Sequence, residues 1–132
     1  MSEPEAITVA LVVHHERAQA VELAREAVAW LEQRGHDVCL PVEDAEAIGR
    51  PERGAGPEEL GKRAGVVVAV GGDGTMLRAV ALVANHEVPV MGVNVGQLGY
   101  LTEVEPAHWT EALERVLAGD PKARDAASGG AL

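Results

Sequence analysis

Five consecutive residues in this chain could carry chemistry together: Gly71-Gly72-Asp73-Gly74-Thr75. Glycines on a strand-to-helix turn let a phosphate-bearing ligand come close to the backbone, and the unpaired N–H groups of the helix terminus point outward at it. The pattern therefore reads as a nucleotide site. Asp73 is the member that a plain phosphate cradle would omit, because a carboxylate repels phosphate. Three roles are open to it: capping the helix that starts at Gly74, holding a metal ion, or taking the proton of a hydroxyl about to attack a phosphoryl group. Capping alone requires no run of three glycines.

The flanking residues predict the elements that would hold this turn. Val66 to Val70 is a short β-branched run suited to a strand buried on both faces, and Met76, Leu77, Val80, Ala81 and Ala84 recur at the offsets of one helix face over residues 74–85. Ile7 to Val13 predicts another core strand, with His14-His15-Glu16-Arg17 at its carboxyl end, the edge where open α/β sheets bind ligands. That tetrapeptide reads as a polar loop, with a nucleotide contact left open; neither histidine has a partner at metal-ligand spacing. Val21, Ala24, Val28 and Leu31 predict a helix over 17–34 that stops at Gly35, and residues 36–42 predict the second strand.

Residues 43–64, rich in acid, Gly and Pro, read as a surface excursion with short helical turns near 44–48 and 58–63. They are poor candidates for precise chemistry and fair ones for a substrate-edge loop. A strand over Val88 to Val93 then delivers Asn94-Val95-Gly96-Gln97-Leu98-Gly99-Tyr100 to the same sheet edge as Asp73, so two glycine-bearing loops face one cleft. A last helix opens near Pro106 with Trp109, Leu113, Val116 and Leu117 on one face. The whole predicts an α/β domain over residues 1–119, a Rossmann-like open, mostly parallel sheet of about four strands with helices on both faces, followed by a disordered tail over 120–132.

Composition narrows the partners. The 132 residues carry 11 basic and 21 acidic side chains, a formal charge of −10, and aromatics make up only 2%, which argues against DNA, RNA or an anionic membrane surface as the ligand. An anionic nucleotide must then be held by local donors or with a metal. The lone Cys39 permits no internal disulfide and reads as a buried apolar residue, and no segment resembles a signal peptide or a membrane span, which points to the cytoplasm.

The two loops together resemble the N-terminal domain of the NAD kinases, the enzymes that phosphorylate the adenosine-ribose 2′-hydroxyl of NAD. The matching residues are Gly71-Gly72-Asp73-Gly74-Thr75-Met76-Leu77-Arg78, then Pro89 to Glu103 with its Gly-x-Asn-x-Gly-x-Leu-Gly-Tyr-Leu core. Gly-Gly-Asp-Gly-Thr by itself also resembles the lipid kinases and a variant in the phosphofructokinases; the second motif separates them. The resemblance implies Asp73 as proton acceptor, Asp73 and Gly74 at the NAD site within the Gly71-to-Thr75 turn, and Arg78 as a contact to nucleotide phosphate. It further implies Mg²⁺, ATP or polyphosphate as donor, and a cleft wall shaped by Asn94, Gly96 and Leu98 to Tyr100. Relatives continue into a second, β-rich domain with an Asn-Glu pair, and no Asn-Glu dipeptide occurs here, so a homo-oligomer or a partner supplying that domain is expected. Two other readings are a non-catalytic nucleotide-binding or regulatory module and a kinase acting on a lipid or another small hydroxyl compound.

Overall fold

A computed structural model of the chain describes residues 6–95 and 106–118. Strand β1 (Thr8–Val13) leads through helix α1 (Ala18–Gln33) to β2 (Asp37–Pro41), helix α2 (Val42–Ala47), a 3-10 turn (Pro51–Arg53) and the two-residue β3 (Gly54–Ala55). Helix α3 (Pro57–Arg63), strand β4 (Val66–Gly71), helix α4 (Asp73–Leu82), strand β5 (Val90–Asn94), a second 3-10 turn (Pro106–His108) and helix α5 (Trp109–Leu117) follow. The strands form one sheet in the order β3-β2-β1-β4-β5, and every pairing is parallel.

The expected open parallel sheet is thus present with five strands where the sequence suggests about four. The additional strand is β3, too short for any periodicity to announce it, and it pairs through Leu40–Gly54 and Pro41–Ala55. It belongs to the 43–64 segment, whose expected short helical turns are α2 and α3, with a 3-10 turn and β3 between them. Positive φ occurs among the described glycines at Gly35 and Gly49, where α1 and α2 end; only glycine adopts that conformation at no steric cost.

Alternation along the strands divides the core in two. Val9, Leu11, Val13, Val66, Val68 and Val70 face α1 and α5 together with Met91 and Val93. The smaller Ala10, Val12, Cys39, Val67 and Ala69 face Leu60 of α3 and Met76, Ala79 and Val83 of α4. Small side chains on that face let α4 lie close to the middle of the sheet, and α4 is the helix that follows the glycine turn. Its buried stripe is Thr75, Met76, Ala79 and Val83, one position away from the predicted face, so Leu77 is 59% exposed. On α5 the predicted face holds: Trp109, Leu113, Val116 and Leu117 are all buried, and Trp109 meets Trp30 edge-on at 5.6 Å between ring centroids.

Candidate functional site

The sheet order places β1 beside β4 at the point where successive strands begin to add on the other side, and the loops leaving their carboxyl ends diverge there. His14 follows β1 and its N–H donates to Val70 O at 2.9 Å; Gly71 ends β4, and its carbonyl accepts from Val95 N–H at 2.9 Å. Gly71 is also in register with Asn94 at the end of β5. Three strand ends are thereby tied into one rim.

Between them lies an open cleft of about 280 Å³, lined by His14, His15, Glu16, Gly74, Thr75 and Arg78. Of the residues the sequence singles out, Gly74, Thr75 and Arg78 thus share this cleft with the two histidines of the β1 loop. Asp73 and Asn94 are not in its lining. Asp73 is the first residue of α4, half-buried, with Gly72 in the N-cap position. That moves Asp73 one place into the helix from the cap role considered for it, where its negative charge complements the positive helix end. Asn94 is the last residue of β5, and its Oδ1 is buried without a hydrogen-bond partner among the described residues. The loop residues Gly96 and Leu98 to Tyr100 lie outside the described residues.

The glycines of the turn differ in their reasons. A Cβ on Gly71 would stand 2.4 Å from Thr75 Oγ1 and 2.9 Å from His14 Cβ, so this glycine exists to let α4 and the β1 loop close over the strand end. On Gly72 or Gly74 a Cβ would meet no described atom within 4 Å, and neither has positive φ. Their smoothness faces open space, which is the arrangement that lets a ligand reach the backbone.

Arg78 does not project freely. Its Nη1 donates to Val13 O at 3.3 Å and its Nη2 to both oxygens of Asp44 at 3.3 and 3.4 Å, while 44% of its side chain stays exposed. Asp44 is the residue that sequence reasoning missed. It is 0% exposed, accepts the Val13 N–H at 2.9 Å on Oδ2, and meets His15 Nδ1 at 2.9 Å on Oδ1. Nothing in the spacing of Glu43, Asp44 and Glu46 distinguishes the middle acid. The available signal is positional: Asp44 is the short acid in the first turn of a helix that leaves a strand's carboxyl end.

Cys39 is buried on β2, and burial pushes its thiol up to about 11, so it remains protonated and inert near neutral pH. Among the described residues no three His, Cys, Asp or Glu side chains group to hold a metal, and no helix is long and apolar enough to cross a membrane.

A parallel sheet of this order, with a glycine turn and an arginine-bearing cleft at its reversal point, defines the open α/β class that receives ligands at the carboxyl edge. Within that class the chain belongs to the ATP-NAD kinase N-terminal domain family, whose model matches residues 9–121. It is 41% identical over 116 residues to the NAD kinase of Heliobacterium modesticaldum, covering 86% of this chain and 40% of that protein. To the NAD kinase of Geobacter metallireducens it is 42% identical over 108 residues, covering 82% of this chain and 37% of that one. The fold matches yeast NADH kinase, solved in complex with NADH, with a TM-score of 0.75 at 21% identity over 88% of this chain and 39% of that one. The chain therefore spans 35–40% of the length of the curated relatives it matches.

Proposed function

We propose that this chain is the N-terminal half of an NAD kinase site and takes part in phosphoryl transfer from ATP or polyphosphate to the adenosine-ribose 2′-hydroxyl of NAD. The observation that carries the reading is the open backbone at Gly72 and Gly74 on either side of Asp73, beside the Arg78 cleft, in a chain of this family. In the reaction the 2′-oxygen forms a bond to the terminal phosphorus of the donor as the bond to the leaving phosphate oxygen breaks. Asp73 accepts the hydroxyl proton, and Arg78 donates hydrogen bonds to phosphate. Asn94, whose buried Oδ1 has no hydrogen-bond partner among the described residues, ends β5 in register with Gly71 and is the proposed polar group of the neighbouring loop.

A divalent cation would enter on the polyphosphate, and Glu16 in the cleft lining and Asp73 at the start of α4 are the carboxylates that would meet its water shell. When bound, Mg²⁺ neutralises charge on the transferring phosphoryl group. The residues that complete the site come from outside residues 1–132, whether from further chain, a second copy or a partner, since the matched relatives are more than twice as long.

The test is NADP formation by the purified 132-residue chain with NAD, Mg²⁺ and either ATP or polyphosphate, with Asp73→Asn as control. Activity that falls on the order of a thousandfold in the variant supports the base role, since the amide keeps the size of the side chain but accepts no proton. Equal turnover in the two proteins removes Asp73 from catalysis. Silence from a folded wild-type chain favours the non-catalytic binding module and directs the search to a partner that completes the cleft.

A further inference from the structure

The one carboxylate wholly withdrawn from solvent in the described residues lies behind the cleft rather than in it. Asp44 touches three groups that leave the switch point: the Val13 amide at the end of β1, the imidazole of His15 in the following loop, and the guanidinium of Arg78 on α4. These belong to two separate stretches of chain, residues 13–15 and Arg78, at 31, 29 and 34 residues from Asp44. An acid buried to 0% exposure is costly unless its hydrogen bonds are met, and here they are met by the buried Val13 amide and by two residues that line the cleft, His15 and Arg78. Arg78 is held on both sides, by Val13 O through Nη1 and by Asp44 through Nη2, so its direction is set while 44% of its side chain stays exposed at the cleft lining.

We infer that Asp44 is a positioning residue: it orients Arg78 as a donor for the phosphate groups of the nucleotide and acts on the ligand only through it, while His15 braces Asp44 from the β1 loop. The inference rests on the nucleotide reading of this cleft. An arginine already held in its binding geometry loses less entropy on meeting phosphate than one that samples many rotamers, so removing the hold weakens binding without removing the charge.

The experiment is a double-mutant cycle on tripolyphosphate binding, read by calorimetry on the full 132-residue chain at low salt with wild type, Asp44→Asn, Arg78→Ala and the double variant. Asparagine still accepts the Val13 N–H, which preserves the anchor to β1. Each single variant is expected to weaken tripolyphosphate binding about tenfold, and the double variant no more than either single. Losses that multiply to about a hundredfold would show Asp44 acting independently of Arg78 and overturn the inference. A wild-type chain that binds no tripolyphosphate overturns the nucleotide reading itself, and this inference with it; binding without coupling sinks the inference alone. One check needs no variant: in the wild-type chain the Arg78 guanidinium protons should give distinct, slowly exchanging NMR signals. A freely averaging guanidinium there contradicts the hold by Asp44.

Discussion

Two clusters of charge grow from the same acidic and glycine-rich stretch, and they are built on opposite plans. On the β2–β3 flank, Glu32 receives both Arg50, at 2.6 Å, and Arg53, while Asp37 receives Arg53 and Arg63. Glu52 and Glu59 add further contacts to Arg50 and Arg63, so three arginines lie among four carboxylates that bind them closely. At the cleft a single buried carboxylate, Asp44, meets a half-exposed arginine at 3.3 Å and a histidine that is 37% exposed. In the first cluster the arginines are consumed by the protein's own acids. In the second, a cation is held firmly and left facing a cavity. The flank pins β3 and the 3-10 turn to α1, whereas the cleft presents charge to something else.

The largest test of that contrast is truncation of each central acid. Asp44→Ala leaves the buried Val13 amide without its acceptor and strips Arg78 and His15 of theirs, so a loss of about 3 kcal/mol in urea unfolding is expected. Glu32→Ala removes contacts that solvent partly screens, and should cost about 1 kcal/mol or less. Equal losses at the two sites would dissolve the distinction between a buried hub and a surface lattice.

A comparison within the cleft sharpens the point that its glycines serve different ends. Gly71→Ala drives a methyl into Thr75 and the His14 side chain, against packed neighbours, and should destabilise the fold by about 1–3 kcal/mol. Gly72→Ala meets open space, so its melting temperature should stay within a degree or two of wild type while nucleotide binding weakens. If Gly72→Ala bound nucleotide as wild type does, the open backbone there would have no ligand to explain it.

Much of this was legible in the residues. The β-branched runs at 8–13 and 66–71, the glycine turn and the face of α5 were readable because each is a local pattern: buried parallel strands are apolar throughout, and helix faces repeat at fixed offsets. The β1 and β4 loops could be placed on one edge because parallel strands send their carboxyl ends the same way. Asp44 was not legible, since its importance comes from contacts with residues 29 to 34 positions away. The exposed Leu77 was misread for a related reason: α4 rotates to bury Thr75 and Met76, with Gly71 making room for Thr75, and hydropathy alone ranks leucine above threonine. Arg50, Arg53 and Arg63 likewise reveal their common purpose only after β3 folds back beside β2.

The smallest effect bears on the flank alone and has a sign set by proton linkage. Hydrogen bonds from Arg50 and then Arg53 hold the Glu32 carboxyl below its ordinary value of 4.5 in the folded chain. A carboxyl whose folded value is depressed stabilises the fold fully above its unfolded value, and that contribution is lost as pH falls through the folded one. Wild type should therefore lose stability more steeply than Glu32→Gln as pH falls below 4.5 and through the folded value, since the variant has no proton to take up there. At pH 7 the variant should be the less stable of the two by about 1 kcal/mol or less, and the gap should close in acid. Tripolyphosphate affinity at pH 7 should be the same in both proteins, because no contact of Glu32 reaches the cleft lining. Parallel acid limbs in thermal melts would show that the arginines do not hold Glu32 in solution. A fall in affinity would show that the two clusters communicate, and the separation between the lattice and the hub would then fail.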